Sequence, residues 1–127
     1  MESISIMPYL QGHALPDDLH EFTSKIAISE DKFLQIIKDC MQYLSEAGFT
    51  PVESEIRYIM DLEEPDHQYL RVLFVLPVRT TGDAIKIQVR FNNEAYREIL
   101  QKDLDADRAE MESFKRSVNI VFDIETN

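Results

Sequence analysis

The chain has 127 residues, 44% of them hydrophobic and 29% charged, and a formal net charge of −11. That length suits one globular domain able to bury about two-thirds of its unfolded surface, and the composition is too apolar for disorder. The charge disfavours polyanionic partners: nucleic acid and anionic membranes would be repelled at long range, whereas a basic or neutral protein would not.

The one cysteine, Cys40, excludes an intrachain disulfide. No apolar run approaches the roughly 18 to 20 residues needed to cross a bilayer. The opening MESISIMPYLQGHALPDD has neither the basic start nor the apolar core of a secretory signal. The expectation is a single cytoplasmic α+β domain over 1–127, with 1–28 as a less regular leader.

Within that leader, SISI (3–6) reads as a short edge strand ended by Pro8, and LPDDLHEF (15–22) as a short helix opened by Pro16. SEDKFLQIIKDCMQYLSEAGF (29–49) is the clearest element. Phe33, Ile36, Ile37, Cys40, Met41, Leu44 and Ala47 line one helical face over 29–47, Ser29 supplies the N-cap, and Gly48 suits the left-handed stop.

Three alternating runs follow. Val52, Ile56, Tyr58, Met60 and Leu62 share one face of 52–62, with Ser54 as the exception. Leu70, Val72, Phe74, Leu76 and Val78 share a face of 69–78, and Ile85, Ile87, Val89 and Phe91 share a face of 84–91. Period-two alternation predicts three half-buried strands joined by turns at 63–68 and 80–83. Symmetric closure of the second turn would set Val78 against Ile85, Leu76 against Ile87 and Phe74 against Val89.

Residues 93–116 then read as a helix through Tyr96, Ile99, Leu100, Leu104, Met111 and Phe114, with a break expected near Asp105. A fourth strand, 118–125, alternates Val118, Ile120, Phe122 and Ile124. The expected fold is therefore an antiparallel three- to four-stranded sheet, a meander over 52–91 plus strand 118–125, with helices 29–47 and 93–116 on one face. Over 29–125 this order of helix, three-stranded meander and helix is loosely similar to type III secretion chaperone-like domains, as topology only. The resemblance implies a small acidic α+β protein.

Sites of chemistry are scarce. Cys40 lies on the buried stripe of its helix, a packing position rather than a nucleophile's. His13, His20 and His67 are scattered, and the last sits in the acidic turn EEPDH. Asp103, Asp105 and Asp107 begin like a calcium loop, but Arg108 stands where glycine is needed and Phe114 where the bidentate Glu belongs. No phosphate-cradling, zinc-protease or nucleophile-elbow motif occurs, so no enzyme, metal or cofactor is expected.

One stretch stands apart: RVLFVLPVRTTGDAIKIQVRF (71–91) holds Arg71, Arg79, Lys86 and Arg90 against the single acid Asp83. In a meander these cations and Arg57 would share the outer sheet face with Leu73 and Val75. Arginine mixed with exposed aliphatics is the composition of protein interfaces. The expectation is an interaction module of adaptor, chaperone or inhibitor type, binding another protein or its own copy through Arg57, Arg71, Leu73, Val75, Arg79, Lys86 and Arg90, or through an edge strand. The alternatives are an anion or small-ligand site on the same cations, and an acidic nucleic-acid mimic using Asp17, Asp18, Glu21, Glu63, Glu64 and Asp66.

Overall fold

The computed structural model describes residues 4–10, 12, 16–25, 28–60, 68–104 and 108–125. Its elements are β1 (Ile4–Ser5), α1 (Met7–Leu10), α2 (Asp17–Lys25), α3 (Glu30–Glu46), β2 (Glu53–Met60), β3 (Gln68–Leu76), α4 (Thr81–Phe91), a π turn (Asn92–Tyr96), α5 (Arg97–Asp103), α6 (Arg108–Ser117) and β4 (Val118–Ile124). The architecture is α+β, with three long strands and the two-residue β1 in the order β1-β2-β3-β4.

Helix α3 forms as its pattern predicts. Ser29 Oγ accepts from the Lys32 amide at 3.2 Å, and Glu30 and Asp31 occupy the positive end of the dipole. Gly48, at φ 91°, takes the left-handed conformation after the last turn. Phe33, Ile36, Ile37, Cys40 and Leu44 are fully buried.

The sheet is mixed. β1–β2 and β2–β3 run antiparallel, but β3–β4 is parallel, so the expected all-antiparallel meander is corrected. Its third strand does not exist: residues 81–91 are helix α4. Thr80 caps that helix, its Oγ1 accepting from the Asp83 amide at 3.2 Å. Ala84, Ile87, Phe91 and Ala95 face the core at helical spacing, while Ile85 and Val89 are 56% and 51% exposed. None of the three cross-strand pairs expected for Ile85, Ile87 and Val89 forms. A parallel neighbour needs a crossover of a dozen or more residues, usually helical, and α4 to α6 supply it. With the meander gone, the topological similarity to the chaperone-like domains lapses.

The predicted helix 93–116 is three pieces: the π turn, α5 and α6, with the interruption near Asp105 falling after Leu104 and residues 105–107 outside the described set. Leu100, Leu104, Met111 and Phe114 still face inward.

One sheet face carries the core. Ile56, Leu70, Val72, Phe74, Leu76, Val118 and Phe122 are buried beneath the helices, and Ser54 is buried among them with its hydroxyl unpartnered among the described residues. Phe91 joins the layers: its ring lies 5.7 Å from Tyr43 of α3, 5.2 Å from Tyr96 and 5.2 Å from Phe122 of β4, which in turn lies 6.0 Å from Phe74. Helix α4 also closes the β4 edge. The Gln88 side chain accepts from the Phe122 amide at 3.1 Å and donates to the Ile120 carbonyl at 3.4 Å, much as a neighbouring strand would.

The helical placement of 81–91 has a direct test. Ile85→Lys and Val89→Lys should each change unfolding free energy by less than about 0.5 kcal/mol, because both positions face water. Phe91→Ala should cost about 3–5 kcal/mol. Chemical denaturation of the three variants checks this, and a severe loss for either lysine variant would favour the strand.

Candidate functional site

The candidate site is the sheet face turned away from the helices. Strand register places its side chains in crosswise rows. Glu53, Val75 and Asp123 form one, Glu55, Leu73 and Val121 the next, and Arg57, Arg71 and Asn119 the third. Charge is thus graded along the strands, from an acidic end across a largely aliphatic middle to a basic end. Leu73, Val75 and Val121 are half-buried, and a hollow of about 330 Å³ is lined by Glu55, Arg57, Arg71, Leu73, Val121 and Asp123, all of them strand residues.

Arg57 and Arg71 are direct cross-strand partners, an arrangement that like charges disfavour. Arg71 Nε is buried and has no hydrogen-bond partner among the described residues. A desolvated donor left open raises the energy of the isolated protein.

Four of the seven expected site residues therefore come together: Arg57, Arg71, Leu73 and Val75. Arg79 follows β3 and is exposed. Lys86 and Arg90 project from α4, in the helical layer, so placing them on the sheet face is corrected; they lost that place when 81–91 folded as a helix. They line a separate cleft of about 390 Å³ with Phe49, Val78, Asp83 and Ile87. Arg90 Nε donates to Glu94 Oε2 at 3.0 Å, and that same oxygen accepts from the Tyr43 hydroxyl at 3.4 Å.

The remaining chemical groups are accounted for. Cys40 is buried, and burial, followed by the charges of Asp39 and Asp103, pushes its thiol far above the ordinary range, so no thiolate nucleophile is available there. His20 contacts Glu30, whose hydrogen bond and charge raise the pKa of the exposed imidazole. His13 and His67 lie outside the described residues, as do Glu63, Glu64 and Asp66 of the nucleic-acid-mimic reading. Among the described residues no group of three His, Cys, Asp or Glu side chains is placed to hold a metal, and no helix is long and apolar enough to cross a membrane.

Sequence reasoning missed one cluster, Asp39, Lys102 and Asp103, where α3 packs on α5. The sequence offered an acid at 39 next to a buried position and Asp103 at the head of an acidic run, but neither signal names the other as a partner. No family model, curated protein or solved structure matches the chain.

Arg71 yields a stability prediction. Arg71→Leu keeps an aliphatic stem in the hollow while removing the open donor and the like-charge neighbour. It should stabilise the isolated protein by about 0.5–1 kcal/mol, read as a raised denaturation midpoint at unchanged slope. A clear loss of stability would mean that the guanidinium is satisfied in solution.

Proposed function

We propose that the protein is an interaction module, of adaptor, chaperone or inhibitor type, whose partner protein docks on the open sheet face. The observation that carries this reading is Arg71: a guanidinium facing another arginine, with a buried and open Nε, at the rim of a hollow floored by Leu73 and Val121. Arginine beside half-buried aliphatics is typical of interface cores, and a partner carboxylate or carbonyl would satisfy the donor.

The face is favoured over the edges. Gln88 occupies the outer edge of β4 at Ile120 and Phe122, and Asp123 Oδ1 accepts from the Ile124 amide at 2.8 Å. At the opposite side β1 covers β2 beside Glu55 and Ile56. Backbone addition at those positions would have to displace those contacts. The net charge of −11 favours a basic or neutral partner over nucleic acid.

A photo-crosslinking amino acid in place of Leu73 tests the proposal in cells. It should yield an adduct of one discrete mass that disappears when Arg71→Glu is added, while the same probe at Ile85 yields none. Loss of the adduct should accompany a binding defect of at least about tenfold, the scale of one interface arginine. Only uncrosslinked chain from position 73, or equal adducts from both positions, would overturn it.

A second reading rests on the α4 cleft, where Lys86 and Arg90, outnumbering Asp83 beside them, line a hollow with Phe49, Val78 and Ile87. Its size is within the usual range of small-molecule sites, roughly 300–1,000 Å³. Apolar floor and cationic rim suit a small carboxylate with a hydrocarbon tail. Octanoate should then raise the melting temperature in a dose-dependent way, and Lys86→Glu should abolish the response; no shift at millimolar octanoate would dismiss the reading.

A further inference from the structure

Asp39 of α3 and Asp103, the last residue of α5, meet where the two helices pack, and their side chains are only 10% and 5% exposed. Lys102 reaches over them from solvent, its Nζ 3.0 Å from Asp39 Oδ2 and 4.0 Å from Asp103 Oδ1. Gln35 Nε2 donates to Asp39 Oδ1 at 3.0 Å. Asp39 Oδ2, despite its ion pair with Lys102, and Asp103 Oδ2 are both buried with no hydrogen-bond partner among the described residues. If both acids ionise, one ammonium must offset two carboxylates in a nearly desolvated space, and a net negative charge stays buried. Retaining one proton removes that charge and makes the acid of one residue a donor to the carboxylate of the other, a short charge-assisted bond.

We infer that Asp39 and Asp103 form a proton-binding site that latches α5 onto α3, closed while the pair holds one proton and loosened when that proton leaves. The asymmetry within the pair fits this assignment. Burial first, then the hydrogen bond to Asp39 and its charge, push the Asp103 carboxyl up to about 7 against the pull of Lys102. Burial opposes ionisation of Asp39 as well, but hydrogen bonds from Asp103, Lys102 and Gln35 outweigh it and hold its pKa below the ordinary value. The proton belongs to the pair, with the Asp103 carboxyl the one raised and Asp39 the one lowered. The neighbouring Cys40 thiol stays neutral, and Tyr43, Glu46 and Glu98 line the groove alongside with Lys102. Asp105 and Asp107 follow in sequence, outside the described residues.

The sign of the effect follows from linkage. A carboxyl with a raised folded pKa contributes stability that is full below its unfolded value and is lost as pH rises through the folded value, here about 7. Asp39, shifted the other way, contributes above its ordinary value and loses that contribution as pH falls. The latch is therefore tightest in mild acid and opens as the pH passes neutrality. Because α5 continues directly from the π turn, opening frees the segment 92–103 first.

Carboxyl-carbon NMR titration of the full chain tests the site without requiring any variant to fold. One aspartate should titrate near neutral pH, and that transition should vanish in Asp103→Asn. In melting experiments the wild type should lose about 4 °C relative to Asp103→Asn between about pH 6 and about pH 8. Over the same interval, amide exchange corrected for intrinsic rate should accelerate in 97–103 and not in β3. Absence of any carboxyl titrating above about pH 5.5, or parallel pH profiles for wild type and Asp103→Asn, would overturn the inference.

Discussion

The Phe91 ring holds the two layers of this protein together. It is fully buried, its stacked and tilted neighbours Tyr43, Tyr96 and Phe122 come from three different elements, and through Phe122 it reaches Phe74 in the central strand. Aromatic pairs at such distances add about 0.5–1.5 kcal/mol each beyond the area they bury. The geometry also constrains the backbone. Phe91 reaches this position only if 81–91 coils, because a strand would put it on the same sheet face as Ile85 and Val89. Helix α4 then brings Gln88 to the β4 edge, and the π turn after it keeps Ala95 and Tyr96 directed inward.

Much of the rest was legible because one periodicity dominated each segment. In α3, capping at Ser29, a stripe of seven apolar positions and Gly48 all point to one structure. In β3, strict alternation from Leu70 to Leu76 matches the observed burial residue by residue. Residues 84–91 satisfy two periods at once. Ile85, Ile87, Val89 and Phe91 alternate, while Ala84, Ile87 and Phe91 recur at helical spacing, and Ile87 and Phe91 belong to both sets. The deciding signal was outside the pattern: Thr80 with Asp83 forms a helix start, and no glycine or proline separates Asp83 from the helical stretch after it. β-Branched residues exposed on a helix suggested a strand, an instance of tertiary context overriding propensity.

The candidate surface was legible only as far as strand parity reached. Arg57, Arg71, Leu73 and Val75 share a face because alternate residues of a strand must. The conjunction of Arg57 with Arg71 depends on the register of β2 against β3, which alternation within each strand does not specify. Lys86 and Arg90 were misplaced for the same reason as α4. The Asp39–Asp103 pair was out of reach altogether: Asp103 stood out only as the first acid of the 103–107 run, and nothing local to either residue indicates that packing will press the two together.

The graded sheet face would also limit how the proposed partner docks. Adjacent rows on one strand are two residues apart, about 7 Å, so the Glu53–Asp123 row and the Arg57–Arg71 row are separated by about 13 Å. At physiological ionic strength exposed charges are screened over about 8 Å. The two ends of the face thus act as separate poles, with Glu55 weighting the middle row toward the acidic one. A partner carrying an acidic and a basic end gains at both poles in one orientation and is repelled at both when turned end for end. Leu73, Val75 and Val121 would attract equally in either orientation, so for the partner proposed above apolar burial would supply affinity while the charged rows would decide the direction in which it lies.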